Sequence, residues 1–166
     1  KKLEKKGISV HLDDRENYSP GWKFNDWELK GIPVRIELGP KDLDKKKAMV
    51  VRRDNGEKQS IASTKIADKV SLVLEDIQTS LFKNAEKVLK NSIATVDNLK
   101  DAKSAFKAKK IIFAPWCSST KCEESFKELT GAKSLNSPEK QPEIKNKKCF
   151  ACKEQATSWF YLGKSY

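Results

Sequence analysis

Four cysteines in two close pairs constrain this chain more than any other feature. They read Cys117-x4-Cys122, then a 26-residue interval, then Cys149-x2-Cys152. Two short-spaced pairs separated by a loop suit one tetrahedral metal ion. Each pair supplies two thiolates from a tight turn, and the loop lets the two turns meet. The only histidine, His11, is remote in sequence. The pattern predicts a structural Zn2+ held by Cys117, Cys122, Cys149 and Cys152, because a closed four-sulfur shell leaves no position for a catalytic water. Two disulfides or inert core thiols are the competing arrangements. A 149–152 bridge would close a very small ring, and no apolar leader-like run opens the sequence, which favours a reducing, cytoplasmic setting. A redox role for Cys149-Phe150-Ala151-Cys152 lacks the strand–helix–strand context of thioredoxin-like motifs.

Charge is the second constraint. The 166 residues carry 34 cations against 23 anions, a formal net charge of +11. Such a balance favours an acidic partner, most often nucleic acid, although a solvated lysine-rich surface would give the same count. Only Arg15, Arg35, Arg52 and Arg53 are arginines. Lysine contacts phosphate as a point charge, so these four are the better candidates for reading base edges. No apolar run reaches the length of a membrane span, and no membrane partner is expected. The chain opens on Lys1-Lys2-Leu3 without an initiator, as expected for a piece of a longer or processed protein.

Along the chain, Lys1 to Lys6 reads as a charged helical fragment. Ile8, Val10 and Leu12 alternate with polar residues and predict a half-buried strand. Ser19-Pro20 opens a helix through Trp22, Phe24, Trp27 and Leu29, with Gly31 at its C-terminal cap. Ile32 to Leu38 predicts a second strand and Ala48 to Arg53 a third. Asn55-Gly56 then predicts a hairpin returning along Lys58 to Ile61. Ser63 or Thr64 caps a long amphipathic helix running to about Val88. A shorter helix over about 96–108 leads to a strand at 110–114. Beyond a boundary placed near 114 come the cysteines, a short helix over about 122–129, a polar loop over 136–148 expected to be disordered, and an aromatic end, Trp159-Phe160-Tyr161.

The segment His11-Leu12-Asp13-Asp14-Arg15-Glu16-Asn17-Tyr18-Ser19-Pro20-Gly21-Trp22-Lys23-Phe24, continuing through Trp27-Glu28-Leu29-Lys30-Gly31-Ile32-Pro33-Val34-Arg35 to Gly39-Pro40-Lys41-Asp42-Leu43, resembles prolyl-tRNA synthetases of the eukaryote-like and archaeal type. Ala114-Pro115-Trp116-Cys117, Gly131-Ala132-Lys133-Ser134-Leu135, the paired cysteines and the terminal Gly163-Lys164-Ser165-Tyr166 resemble that family's C-terminal zinc-binding domain. One departure is Asn136-Ser137-Pro138-Glu139, where the family usually carries a Cys-Ile-Pro-Phe-like segment.

The resemblance implies an α/β anticodon-binding domain with a mixed sheet and flanking helices over 1–114. A small α+β zinc-binding domain would follow over 115–166. It implies that the family domain's first strand and most of its first helix precede this sequence. The implied function is recognition of the tRNA(Pro) anticodon. An upstream class II catalytic domain would bind ATP and proline and carry out the ligation, in an enzyme that is a homodimer. By the same match, Glu28 would accept hydrogen bonds from a guanine edge and Arg35 would donate to guanine acceptors. Lys41 and Lys58 would add basic contacts, and Phe24 a stacking face. Tyr166 would direct its carboxylate toward the catalytic domain. The alternative reading is a free-standing zinc-containing RNA-binding or scaffold module without catalysis.

Overall fold

The structure, a computed structural model, describes residues 1–165. Tyr166 and the role expected for it lie outside the described residues. The chain forms two compact units, Lys1–Ala85 and Glu86–Tyr166.

In the first unit, Ser19 is the N-cap of helix α1, Pro20–Leu29, and its side chain accepts the Trp22 N–H. Pro20 takes the first helical position, where its missing N–H is no loss. Lys30 is the C-cap, and Gly31 follows at φ 85°, a left-handed conformation that costs glycine little. The chain thereby reverses into β1, Val34–Glu37. A short helix, α2 at Pro40–Asp44, leads to β2, Lys47–Arg52. Gly56, at φ 73°, sits in the turn to β3, Lys58–Ala62. The sheet has the order β1-β2-β3 and is antiparallel throughout. Strand alternation places Val34, Ile36, Val50 and Ile61 on one face, packed with Val70, Ile66 and Leu74 of α3. α3 spans Ile66–Ser92 and continues from the first unit into the second.

The second unit contains the mixed sheet, β4-β5-β7-β6. β4, Ile93–Thr95, pairs parallel with β5, Ile111–Trp116, and α4, Leu99–Lys107, connects them. After α5, Thr120–Thr130, and β6, Lys133–Asn136, the strand β7, Ser158–Gly163, pairs antiparallel with both β5 and β6. Ile112, Phe126, Phe150 and Leu162 are fully buried in one core that also takes in Trp116, Cys122 and Cys149. Burial of each large apolar side chain contributes about 1.5–3 kcal/mol.

Several elements differ from their sequence expectations. The segment over 8–12 is not a strand. Ile8 packs on the core, but Val10 and Leu12 are 47% and 79% exposed, and the segment pairs with no strand. Alternation alone supplies no ladder partner. α3 begins at Ile66 because Ser63 to Lys65 turn out of β3, the Lys65 N–H meeting the Ala62 carbonyl at 2.8 Å. The strand expected at 110–114 runs on to Trp116, so position 114 lies inside β5. Residues 137–147 carry no regular structure but are fastened: the Trp159 N–H donates to Gln141 Oε1 at 2.7 Å, and Trp159 Nε1 donates to the Glu143 carbonyl at 3.3 Å.

Candidate metal centre and nucleic-acid interface

Cys117 follows β5, Cys122 sits in the first turn of α5, and Cys149 and Cys152 flank a turn that precedes β7. Main-chain bonds lock that turn to the end of β5: Phe150 N to Pro115 O at 2.9 Å and Thr157 N to Trp116 O at 2.8 Å. Ser118, at φ 57°, and Lys153, at φ 68°, turn the backbone beside each pair. The four Sγ atoms consequently lie within 4.8 Å of one another. Cys117 and Cys152 stand 3.6 Å apart, and Cys122 and Cys149 3.7 Å. Four sulfurs about 2.3 Å from one tetrahedral ion would be separated by about 3.8 Å. A disulfide needs about 2 Å, and all four cysteines are free.

Burial works against ionisation at Cys149, but backbone N–H groups of Cys152, Ala151 and Cys117 donate to its sulfur and hold its pKa below the ordinary thiol value. Burial pushes the Cys122 thiol strongly up, reinforced by the neighbouring Cys149 charge. Four thiolates packed this closely repel one another unless a cation lies between them. The donor set therefore fits a thiophilic metal ion.

The second grouping lies on the opposite face of the first unit's sheet from its core. Arg35, on β1, is 17% exposed and ion-paired with Glu28 of α1. Its Nε donates to Glu37 Oε1 at 2.9 Å. Its guanidinium carbon lies 4.2 Å from the centroid of the Phe24 ring. Phe24, Glu28 and Arg35 thus form one cluster across the Gly31 turn. Lys58 enters by register: Arg35 pairs with Val51, and Val51 with Lys58, so the three share one face and one row of the sheet. Lys41 is not joined to the cluster by any contact among the described residues; it is exposed on α2, beyond the end of β1.

The sequence reading missed a cluster at the start of α1. The Arg15 guanidinium pairs with Asp13 at 2.6 Å and with Asp26 at 3.0 Å. Trp27 Nε1 donates to Asp13 at 2.8 Å. The Tyr18 and Trp22 rings stack with centroids 3.9 Å apart. The density of aromatic and charged residues between His11 and Trp27 was the available signal, but the strand expected to end at Leu12 and the helix expected from Ser19-Pro20 gave no reason to join them. Arg52 is likewise held by Asp54 and Asp76. Of the four arginines, only Arg53 is exposed and without an ion pair among the described residues.

Arg15 and Trp27 hold the Asp13 carboxyl far below the usual carboxylate range. A depressed folded-state pKa means stability that is fully present above about pH 4, the unfolded value, and is lost as pH falls through the lower folded value. The denaturation midpoint of the Asp13→Asn variant should therefore lie below that of the wild type at pH 6, with the gap closing toward pH 2. A gap independent of pH would show that the Asp13 charge contributes nothing.

A family profile described as prolyl-tRNA synthetase, C-terminal, matches residues 99–166, and one described as anticodon binding domain matches residues 1–72. The cytoplasmic proline–tRNA ligase of Arabidopsis thaliana is 40% identical over 96% of this chain and 31% of its own length. The crystal structure of a prolyl-tRNA synthetase from Cryptosporidium parvum, complexed with L-proline and AMP, aligns with a TM-score of 0.91 at 39% identity, covering 99% of this chain and 35% of that one. The relatives that match nearly the whole of this chain are proline–tRNA ligases. Proline–tRNA ligase 2 of Clostridioides difficile is similar at 39% identity over 99% of the chain. The chain spans about a third of the length of the curated relatives it matches, 34% and 31% in the two cases. All four cysteines fall within the synthetase C-terminal profile, and Phe24, Glu28, Arg35, Lys41 and Lys58 within the anticodon-binding profile. No helix among the described residues is long and apolar enough to cross a membrane.

Proposed function

We propose that this chain reads the anticodon of tRNA(Pro) for a cytoplasmic proline–tRNA ligase. The chemistry, ATP-dependent activation of proline and its transfer to the tRNA, belongs on this reading to a class II catalytic domain outside this sequence, in a homodimeric enzyme. The observation that carries the reading is the Phe24–Glu28–Arg35 cluster on a chain of net charge +11. Guanine presents acceptors at O6 and N7 and a donor at N2. A paired arginine and glutamate can serve both kinds of group at once, and the neighbouring ring offers a stacking face to a splayed base. Lys41 and Lys58 add phosphate or base contacts around it.

The four-cysteine centre, on this reading, holds Zn2+ in a structural role. It ties the end of β5, α5 and the 149–152 turn together and supplies no reaction step.

The reading is tested with an RNA hairpin carrying the proline anticodon loop and a second hairpin with the anticodon guanines replaced. The chain should bind the first more tightly at every salt concentration. Both affinities should fall as salt rises, since phosphate neutralisation releases counterions from either RNA. Equal affinity for the two hairpins would reduce the surface to nonspecific RNA binding and overturn the assignment.

A further inference from the structure

We infer that the stacked Tyr18–Trp22 pair is a second platform on the same interface. It would take an unpaired base of the RNA strand outside the anticodon triplet. The inference rests on the anticodon reading for its partner, and on a separate set of residues for its site.

Tyr18 and Trp22 remain 38% and 46% exposed although their rings lie nearly parallel, at 13°. An exposed aromatic stack is an unusual use of apolar surface, and single-stranded RNA is recognised largely by stacking on such rings. The pair is built rather than loose. The Arg15 guanidinium carbon lies 5.1 Å from the Tyr18 centroid and 5.3 Å from that of Trp22. Arg15 is itself held by Asp13 and Asp26. The rings therefore rest against a fixed side chain and are preorganised before any ligand arrives.

The path from the first site is continuous along one helix. At about 100° per residue, Glu28 and Trp22 are about 120° apart around α1, with Gly21 and Asn25 between them. Gly21, Trp22, Asn25 and Glu28 are all exposed. Gly21 presents no side chain, and the space where one would stand is open. A strand whose base reaches Glu28 and Arg35 can cross this face and lay a neighbouring base on Trp22. The chain's excess of lysine favours the phosphates along that path.

The test is an abasic scan. Hairpins carrying the proline anticodon, each lacking one loop base, are bound to the wild-type protein and to Trp22→Ala, Trp22→Phe and Tyr18→Ala. One loop base outside the triplet should contribute about tenfold to wild-type affinity, the size expected for one stacked base. Trp22→Ala should weaken the intact hairpin about tenfold and make removal of that base silent. Trp22→Phe, which keeps a ring, should restore most of the affinity.

If no loop base outside the triplet matters to the wild-type protein, the platform is overturned whatever the variants do, including any that fail to fold. Loss of affinity in Arg35→Ala beside wild-type affinity in Trp22→Ala overturns the platform and leaves the anticodon reading standing. Indifference to both substitutions removes both. Dissociation of a dimer by Trp22→Ala with unchanged RNA affinity would assign this face to a second copy of the chain and likewise overturn the proposal.

Discussion

Removing the proposed zinc is expected to unfold the second unit while the first keeps its structure. Cys149 is fully buried and Cys122 nearly so, and both belong to the core that includes Phe126, Phe150 and Leu162. Without a cation, the four sulfurs must either protonate in place or move apart. Moving apart releases the 149–152 turn, and with it the bonds that tie Phe150 and Thr157 to the end of β5. Structural zinc contributes about 10–16 kcal/mol in zinc-finger peptides at neutral pH, which matches or exceeds the roughly 5–15 kcal/mol of a whole domain.

The first unit, Lys1–Ala85, contains no cysteine and should not respond. Amide hydrogen exchange before and after chelation distinguishes the two regions: protection should disappear from β5 and β7 and persist in β1 to β3. The emission of Trp116 and Trp159, both buried in the second unit, should shift to the red. Single substitutions should be graded by burial, Cys149→Ser being more damaging than Cys152→Ser, because Cys152 is exposed and water can occupy its place. Elemental analysis should find one zinc per chain. A metal-free preparation with unchanged exchange and emission would overturn the structural role.

What the sequence revealed and what it hid follow a physical division. The cysteine spacing was legible because metal geometry constrains local spacing directly, and the structure brings the four sulfurs together. Ser19-Pro20, the Asn55-Gly56 turn and the long period of α3 were legible because capping, left-handed turns and helical periodicity are local properties. α2 is only five residues long, too short for periodicity, although Pro40 and the Asp42 side chain receiving the Gly39 N–H mark its start. β4 and β6 have three and four residues and exist through their partners β5 and β7. The alternation over 8–12 was real but had no strand to pair with. The cluster at Arg35 needed more than periodicity. Glu28 and Arg35 meet because α1 folds back over β1, and resemblance, not spacing, had singled them out.

Arg35→Ala should lower discrimination between the proline anticodon and a guanine-substituted one by about 1–3 kcal/mol, roughly 5–150-fold in the ratio of affinities. The argument starts from rigidity. Arg35 sits mid-strand, opposite Val51, and its fork is held by Glu37 at 2.9 Å, by Glu28 and by the Phe24 ring. A planar guanidinium so fixed can pair with two acceptors of one base, which a lysine ammonium cannot. Removing it leaves Glu28 and Glu37 without their cation beside an approaching polyanion, so affinity for both RNAs should fall. The ratio isolates the base contact from that shared loss.

Arg35→Lys separates the same two effects: it restores the charge and should recover much of the nonspecific affinity without the discrimination. Lys47→Ala, at the exposed first position of β2, removes one positive charge and should weaken both hairpins about equally, and by less. The measurement is paired hairpin affinity for each variant at one salt concentration. If Arg35→Ala lowers both affinities by the same factor, or Arg35→Lys discriminates as well as the wild type, Arg35 supplies charge alone and base reading lies elsewhere on this surface.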